Sequence, residues 1–103
     1  MDKQSAKIAK EFSKRIKKKF GVQKLILFGS RARGDNFKNS DYDFIVVSDK
    51  FKHIKFILRA SDFYEYWDKK TDLEIICYTP EEFERKKKQI GIVKTAVEEG
   101  VEI

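Results

Sequence analysis

Two aspartates stand two positions apart in the middle of the chain, in the sequence Asp41-Tyr42-Asp43. They begin an apolar run that favours a strand over residues 41–47. Because alternate side chains of a strand point to the same face, the two carboxylates are expected to lie side by side. Two such carboxylates repel each other unless a cation lies between them, and Mg²⁺ takes oxygen ligands of this kind. The pair therefore predicts a magnesium site.

A turn rich in glycine and arginine precedes the aspartate pair. Gly29 and Ser30 end the apolar run 24–28, whose length and flanking glycines predict a buried strand. The glycine lets a ligand approach the backbone closely, and the serine hydroxyl with nearby N–H groups can hold a phosphate oxygen. Arg31 and Arg33 add positive charge whose geometry matches phosphate. These four residues are predicted to bind the phosphates of a nucleotide.

A third carboxylate is expected from the apolar run 73–78, which predicts another strand. Glu74 is the first candidate, and Asp72 competes with it because both have the same parity along the chain. Three carboxylates beside a phosphate-binding turn indicate two-metal phosphoryl or nucleotidyl transfer. In such a reaction one metal activates the attacking oxygen and the other stabilises the leaving pyrophosphate. The predicted catalytic and metal-binding residues are therefore Asp41, Asp43 and Glu74.

Two helices are predicted in the N-terminal two thirds of the chain. The first carries an apolar residue at every fourth position and ends at Gly21 (Ile8, Phe12, Ile16, Phe20). The second is predicted over most of residues 51–69, which mix apolar and charged side chains.

The C-terminal part is predicted to be helical in two pieces. Thr79, Pro80 and Glu82 have the pattern of an N-cap, a first helical residue and a capping box, and that helix is expected to continue through Lys88. The second piece covers about 92–99. The predicted order is α-β-turn-β-α-β-α. It indicates an α/β (α+β) fold in which helices pack on a small mixed sheet of three or more strands.

Length and composition exclude several classes of protein. A chain of 103 residues with 41% hydrophobic residues suits one domain, residues 1–103, with a modest core. A single cysteine excludes a disulfide framework and a Cys-rich zinc site, and a single histidine argues against a His-based metal site or a Ser-His-Asp triad. No apolar run approaches the roughly 18 residues of a membrane span, and no signal peptide is recognisable. A cytoplasmic location is expected.

The net charge of +6 is confined to the N-terminal helix region. Residues 1–24 carry nine basic and two acidic residues, whereas residues 25–80 carry nine of each. The lysines are interpreted either as a solvated helix surface or as a surface that meets nucleic acid or an acidic partner. The charge pattern leaves both interpretations open.

The motif Gly29-Ser30…Asp41-Tyr42-Asp43 resembles the signature of the DNA polymerase β-like nucleotidyltransferase superfamily. The whole chain resembles the minimal nucleotidyltransferase (MNT) branch of that superfamily in prokaryotes. The resemblance implies the palm fold of the superfamily and magnesium-dependent transfer of a nucleoside monophosphate, AMP from ATP, to a hydroxyl of a protein or RNA. It also implies that the two aspartates bind the metals, that Glu74 is the third carboxylate, and that the Gly-Ser pair holds the triphosphate.

The resemblance further implies a partner protein. Members of the MNT branch are often encoded beside a small helical protein of the HEPN type, and several act as the antitoxin of a toxin–antitoxin pair. Some of them AMPylate tyrosines of the partner. A palm uses nearly all of the 103 residues. The remaining parts of a transferase site are therefore expected from a second copy of the chain, a partner or the substrate. The alternatives are a non-catalytic module that neutralises a partner and a basic nucleic-acid binder.

Overall fold

Four strands form one mixed sheet in the computed structural model, which describes all residues from 1 to 103. They are β1 (Lys24–Phe28), β2 (Tyr42–Val47), β3 (Leu73–Tyr78) and β4 (Val101–Glu102). Their order across the sheet is β3-β2-β1-β4, with β1 antiparallel to β2 and β4, and β2 parallel to β3. The first three coincide with the predicted strands to within one residue. The α/β fold and its mixed sheet are thus confirmed.

Four helices accompany the sheet: α1 (Lys3–Phe20), α2 (Ser30–Arg33), α3 (Pro80–Lys86) and α4 (Ile92–Glu99). The ends of α1 and α3 follow from local chemistry. Asp2 accepts a hydrogen bond from the Ser5 N–H at 2.6 Å, and Gly21 ends α1 in the left-handed conformation that glycine adopts readily. The predicted capping box of α3 is present between Thr79 and Glu82.

The two faces of the sheet are covered differently. Alternate residues of β2 point to opposite faces, so Tyr42, Phe44 and Val46 pack in the cluster that includes the apolar residues of α1. Ile45 and Val47 pack on the other face in a smaller cluster with residues of α3 and α4. Phe28 and Ile76 lie at the edge of this second cluster and are only half-buried. The end of this face that carries Asp43 therefore lies beyond the apolar cluster that α3 and α4 cover.

The prediction of a helix over most of 51–69 is wrong. The structure has three 3₁₀ turns there (Asp49–Phe51, Phe56–Leu58, Ser61–Tyr66). One reason is Arg59, whose buried side chain donates from Nε to the Ile54 carbonyl at 2.9 Å and occupies an acceptor that an α-helix would need. Another is that the apolar residues do not share one helical face, because Phe63 is buried whereas Ile57 is 84% exposed.

Two short elements were not predicted. The turn after β1 contains the single helical turn α2, and the C-terminal residues form β4 beside β1. The latter is only two residues long, so it has no periodicity that a sequence pattern could reveal. None of the helices is both long enough and apolar enough to cross a membrane.

Candidate active site

Asp43 and Glu74 lie opposite each other on neighbouring strands. Residue 43 of β2 pairs with residue 74 of the parallel strand β3, and with Phe28 of the antiparallel strand β1. The two carboxyl groups point to the face that carries the smaller apolar cluster, beyond the part that α3 and α4 cover. Asp43 is half-buried there and Glu74 is exposed. Strand pairing thus brings together two of the three predicted carboxylates.

The environment of Asp43 favours its protonated form. Burial raises the pKa of this carboxyl from 3.8 to about 6, and the hydrogen bond to Glu74 together with the charges of Glu74 and Asp41 adds to the rise. Arg33 acts in the opposite direction and lowers the pKa of Asp43. The charges of two carboxylates therefore act on Asp43 against the charge of one arginine, which is a suitable environment for an added divalent cation.

Gly29 is shaped around the same carboxylate. Its φ of 74° lies in the region that favours glycine, and a Cβ built there would stand 2.5 Å from Oδ2 of Asp43. No side chain fits between the turn and the aspartate. The turn therefore places the start of α2, where Ser30 stands, directly beside the carboxylate pair.

Asp41 lies one residue before β2 and is exposed. It acts on Asp43 through its charge, but no three acidic, histidine or cysteine side chains converge closely enough to form a ready-made metal cage. The donors are nevertheless carboxylate oxygens, the type that Mg²⁺ binds together with water and substrate phosphates rather than in an all-protein cage. The chemistry of the donor set therefore fits magnesium.

The two candidates for the third carboxylate differ in position. Glu74 is paired in register with Asp43, whereas Asp72 stands before β3 and is not among the groups that act on Asp43. The carbonyl of Asp72 accepts a hydrogen bond from the Tyr42 N–H at 3.0 Å, so this residue closes the start of the strand pair. The geometry favours Glu74.

The two arginines of the turn also differ. Arg33 is exposed, pairs with Asp35 at 3.1 Å and Glu99 at 3.5 Å, and lies close enough to Asp43 to affect its pKa. The side chain of Arg31 is instead buried away from the carboxylates and donates to the backbone carbonyls of Lys38 and Ser40. This geometry does not support a contact between Arg31 and the phosphates of a nucleotide bound at the carboxylates.

The carboxylate pair lies on an open surface. None of the cavities of the molecule is lined by Asp41, Asp43 or Glu74. The chain therefore presents acidic groups and a tight turn, but no enclosed pocket for a nucleobase or an acceptor.

Comparison with known proteins identifies the family. The model of the nucleotidyltransferase domain family matches residues 9–102. A relative from Methanocaldococcus jannaschii named "Putative protein adenylyltransferase" is 47% identical over 45 residues, which are 42% of this chain and 45% of the relative. The chain thus matches about half the length of that relative. A crystal structure titled as a putative nucleotidyltransferase from Sulfolobus solfataricus has the same fold. Its TM-score is 0.69 at 24% identity, with 96% of this chain and 78% of that chain covered. Because the family model spans nearly the whole sequence, the chain belongs to the nucleotidyltransferase domain family.

Proposed function

We propose that the protein is a magnesium-dependent nucleotidyltransferase that transfers AMP from ATP to a hydroxyl group of a protein or RNA. The observation that carries the proposal is the pairing of Asp43 with Glu74 against the Gly29 turn. The name of the M. jannaschii relative supports adenylyl transfer to a protein.

The residues have distinct roles in this proposal. Asp41, Asp43 and Glu74 would hold magnesium, which supplies charge stabilisation for the reacting phosphates. Gly29 lets the triphosphate approach the backbone, and Ser30 offers a hydroxyl to a phosphate oxygen. Glu74 is exposed next to Asp43 and is suited to take the proton of the acceptor hydroxyl as that oxygen attacks the α-phosphorus of ATP and pyrophosphate leaves.

The acceptor is proposed to be a partner protein, because the carboxylates lie on an open surface without a pocket. A helical HEPN-type protein encoded nearby is the proposed partner, with this chain as the antitoxin of the pair and a partner tyrosine as the hydroxyl. A second copy of the chain is the other proposed source of the residues that would enclose the nucleobase and the acceptor.

The test is incubation of the purified protein with ATP labelled at the α-phosphate, magnesium and the co-expressed partner. Label is expected to move to the partner, and Asp43→Asn should reduce transfer by at least about a hundredfold, as expected when transition-state charge stabilisation is lost. Asp62→Asn is the matched control, since Asp62 is exposed in a 3₁₀ turn and is not among the groups that act on Asp43. Absence of magnesium-dependent label transfer with every acceptor tried would refute the proposal.

The same open surface favours a second candidate, a non-catalytic module that neutralises a partner by binding. The double variant Asp41→Asn/Asp43→Asn distinguishes the two. Loss of neutralisation with intact partner binding indicates catalysis, whereas full neutralisation indicates binding alone.

A further inference from the structure

A basic cavity of about 280 Å³ lies on the face of the sheet opposite to Asp43. Its walls come from α1, from the connection between α2 and β2, and from the turn that leads into β3. Four of its lining residues are cationic and none is acidic (Arg31, Lys38, Lys69, Lys70). The cavity shares Arg31 with the turn that follows β1, but Gly29, Asp43 and Glu74 do not line it.

Arg31 is a buried cation without a carboxylate partner. Only 4% of the residue is exposed, and its guanidinium donates to two backbone carbonyls and to Oγ of Ser5 at 3.3 Å. The other buried arginine, Arg59, differs because Glu82 accepts from it at 2.6 Å. Neutral acceptors satisfy the N–H groups of Arg31, and no carboxylate forms a salt bridge with it. Hydrogen bonds from Ser5 lower the pKa of Asp2 and the charge of Arg31 adds a smaller effect, so the buried guanidinium is balanced only at a distance. A bound anion in the cavity would supply a negative charge in direct contact.

Two buried hydroxyl groups in the cavity wall also lack partners. Tyr42 is 1% exposed, and neither its hydroxyl nor that of Thr71 makes a hydrogen bond. Both residues line the cavity, and the Tyr42 ring lies 4.4 Å under the Arg31 guanidinium. Buried polar groups in folded proteins nearly always have a partner, so these two hydroxyls are donors available to a ligand that accepts hydrogen bonds.

The lysines of the cavity are available to such a ligand to different degrees. Lys69 is within 3.7 Å of Glu11 and 3.8 Å of Asp68, so its charge is partly balanced. Lys38 and Lys70 are exposed at the rim and form no salt bridge. Two free ammonium groups, a buried guanidinium and two hydroxyl donors suit an anion with several oxygens and more than one charge.

We propose that this cavity binds a phosphoryl group, either as free phosphate or on a nucleotide. A tetrahedral phosphate offers enough acceptor oxygens to pair with both hydroxyls and both rim lysines, and it would neutralise Arg31. The binding site is independent of the proposed transferase chemistry, because the sheet separates it from Asp43 and Glu74.

Titration of the ¹⁵N-labelled full chain with inorganic phosphate in EDTA, at constant ionic strength, tests the proposal. The expected result is saturable chemical-shift change at the backbone amides of residues 38–42 and 69–72. Tyr42→Phe keeps the ring and removes the hydroxyl, and should weaken binding about fivefold to tenfold, as expected for one hydrogen bond. The double variant Lys38→Gln/Lys70→Gln should weaken it by at least about tenfold.

The matched control is Lys88→Gln/Lys94→Gln, which removes the same charge from exposed positions on or beside the helices of the other face. This control should bind phosphate within about twofold of the parent chain, since distant exposed charges are largely screened. A parallel titration with AMP separates the two sources. Equal affinity indicates a free phosphoryl group, and tighter binding with shifts at the same amides indicates a nucleotide. Non-saturable shifts, equal losses in both lysine pairs, or shifts confined to residues 29–33 would overturn the proposal.

Discussion

Asp43 stands opposite Glu74 in the register of β2 and β3, on the part of the sheet face that α3 and α4 leave uncovered, where burial and the neighbouring Glu74 carboxyl raise the pKa of Asp43. Parallel pairing of two strands that are distant in sequence is what creates this contact. The arrangement concentrates negative charge next to a turn that tolerates only glycine.

The stability of the metal-free protein should depend on pH through Asp43. Its pKa is about 6 in the folded state against 3.8 in the unfolded chain, so the folded state retains a proton that the unfolded state releases. Stability should therefore fall as the pH rises from about 4 to about 6, by about 1 kcal/mol once solvent screening of this half-buried group is allowed for. Urea denaturation in EDTA across this range measures the effect. Asp43→Asn should abolish it, and an unchanged profile would assign the titration to another group.

Magnesium should stabilise the folded protein through the same carboxylates. Binding to the native state alone adds about 2.7 kcal/mol at a concentration of one hundred times Kd. Thermal unfolding should shift upward with magnesium in the parent chain and in Asp62→Asn. It should shift much less in Asp43→Asn and in Glu74→Gln. An equal shift in all four proteins would show that magnesium acts elsewhere.

Gly29→Ala should destabilise the fold by about 1–3 kcal/mol, the usual cost of a non-glycine residue held in such a conformation. Two causes contribute: the positive φ, and the contact that a Cβ would make with Oδ2 of Asp43 at 2.5 Å. The double variant Gly29→Ala/Asp43→Ala separates them, because the second change removes the contacted atom. Chemical denaturation of both single variants and the double variant should show coupling, and purely additive losses would indicate that backbone strain alone is responsible.

Glu82→Gln should cost about 2–4 kcal/mol, because it leaves the buried Arg59 without its counter-ion. The amide keeps an oxygen that can accept from the Thr79 N–H, so the capping box is largely preserved. Glu81→Gln is the control, since Glu81 pairs with Lys52 on the exposed surface at 3.5 Å and should contribute less than about 1 kcal/mol. Similar losses in the two variants, measured by urea denaturation, would contradict the importance of the buried pair.

Much of the fold can be predicted from the sequence because the patterns that define its strands and helix starts are local. The run Lys24–Phe28 is apolar throughout and becomes β1, and the Thr79–Glu82 pattern starts α3 where predicted. The helix predicted for 51–69 does not form because the structure of this segment depends on residues that are distant in sequence. Arg59 donates hydrogen bonds to the Cys77 carbonyl and to Glu82, and the chain around Arg59 forms 3₁₀ turns. Local propensity contains no information about such a contact.

In the candidate site, too, some features follow from local sequence and others from contacts between distant segments. The types and spacing of Gly29, Ser30, Asp41 and Asp43 alone indicated phosphate and metal chemistry, since strand parity and glycine geometry are local properties. The parity of positions along the strand could not decide whether Asp72 or Glu74 is the third carboxylate. The residue types alone could not show that Arg31 is buried and Arg33 exposed. The register of β2 against β3 placed Glu74 opposite Asp43, and packing against α1 buried Arg31 while Arg33 stayed at the surface. Both outcomes depend on which distant segments of the chain meet in the fold, which a local pattern of residues does not specify.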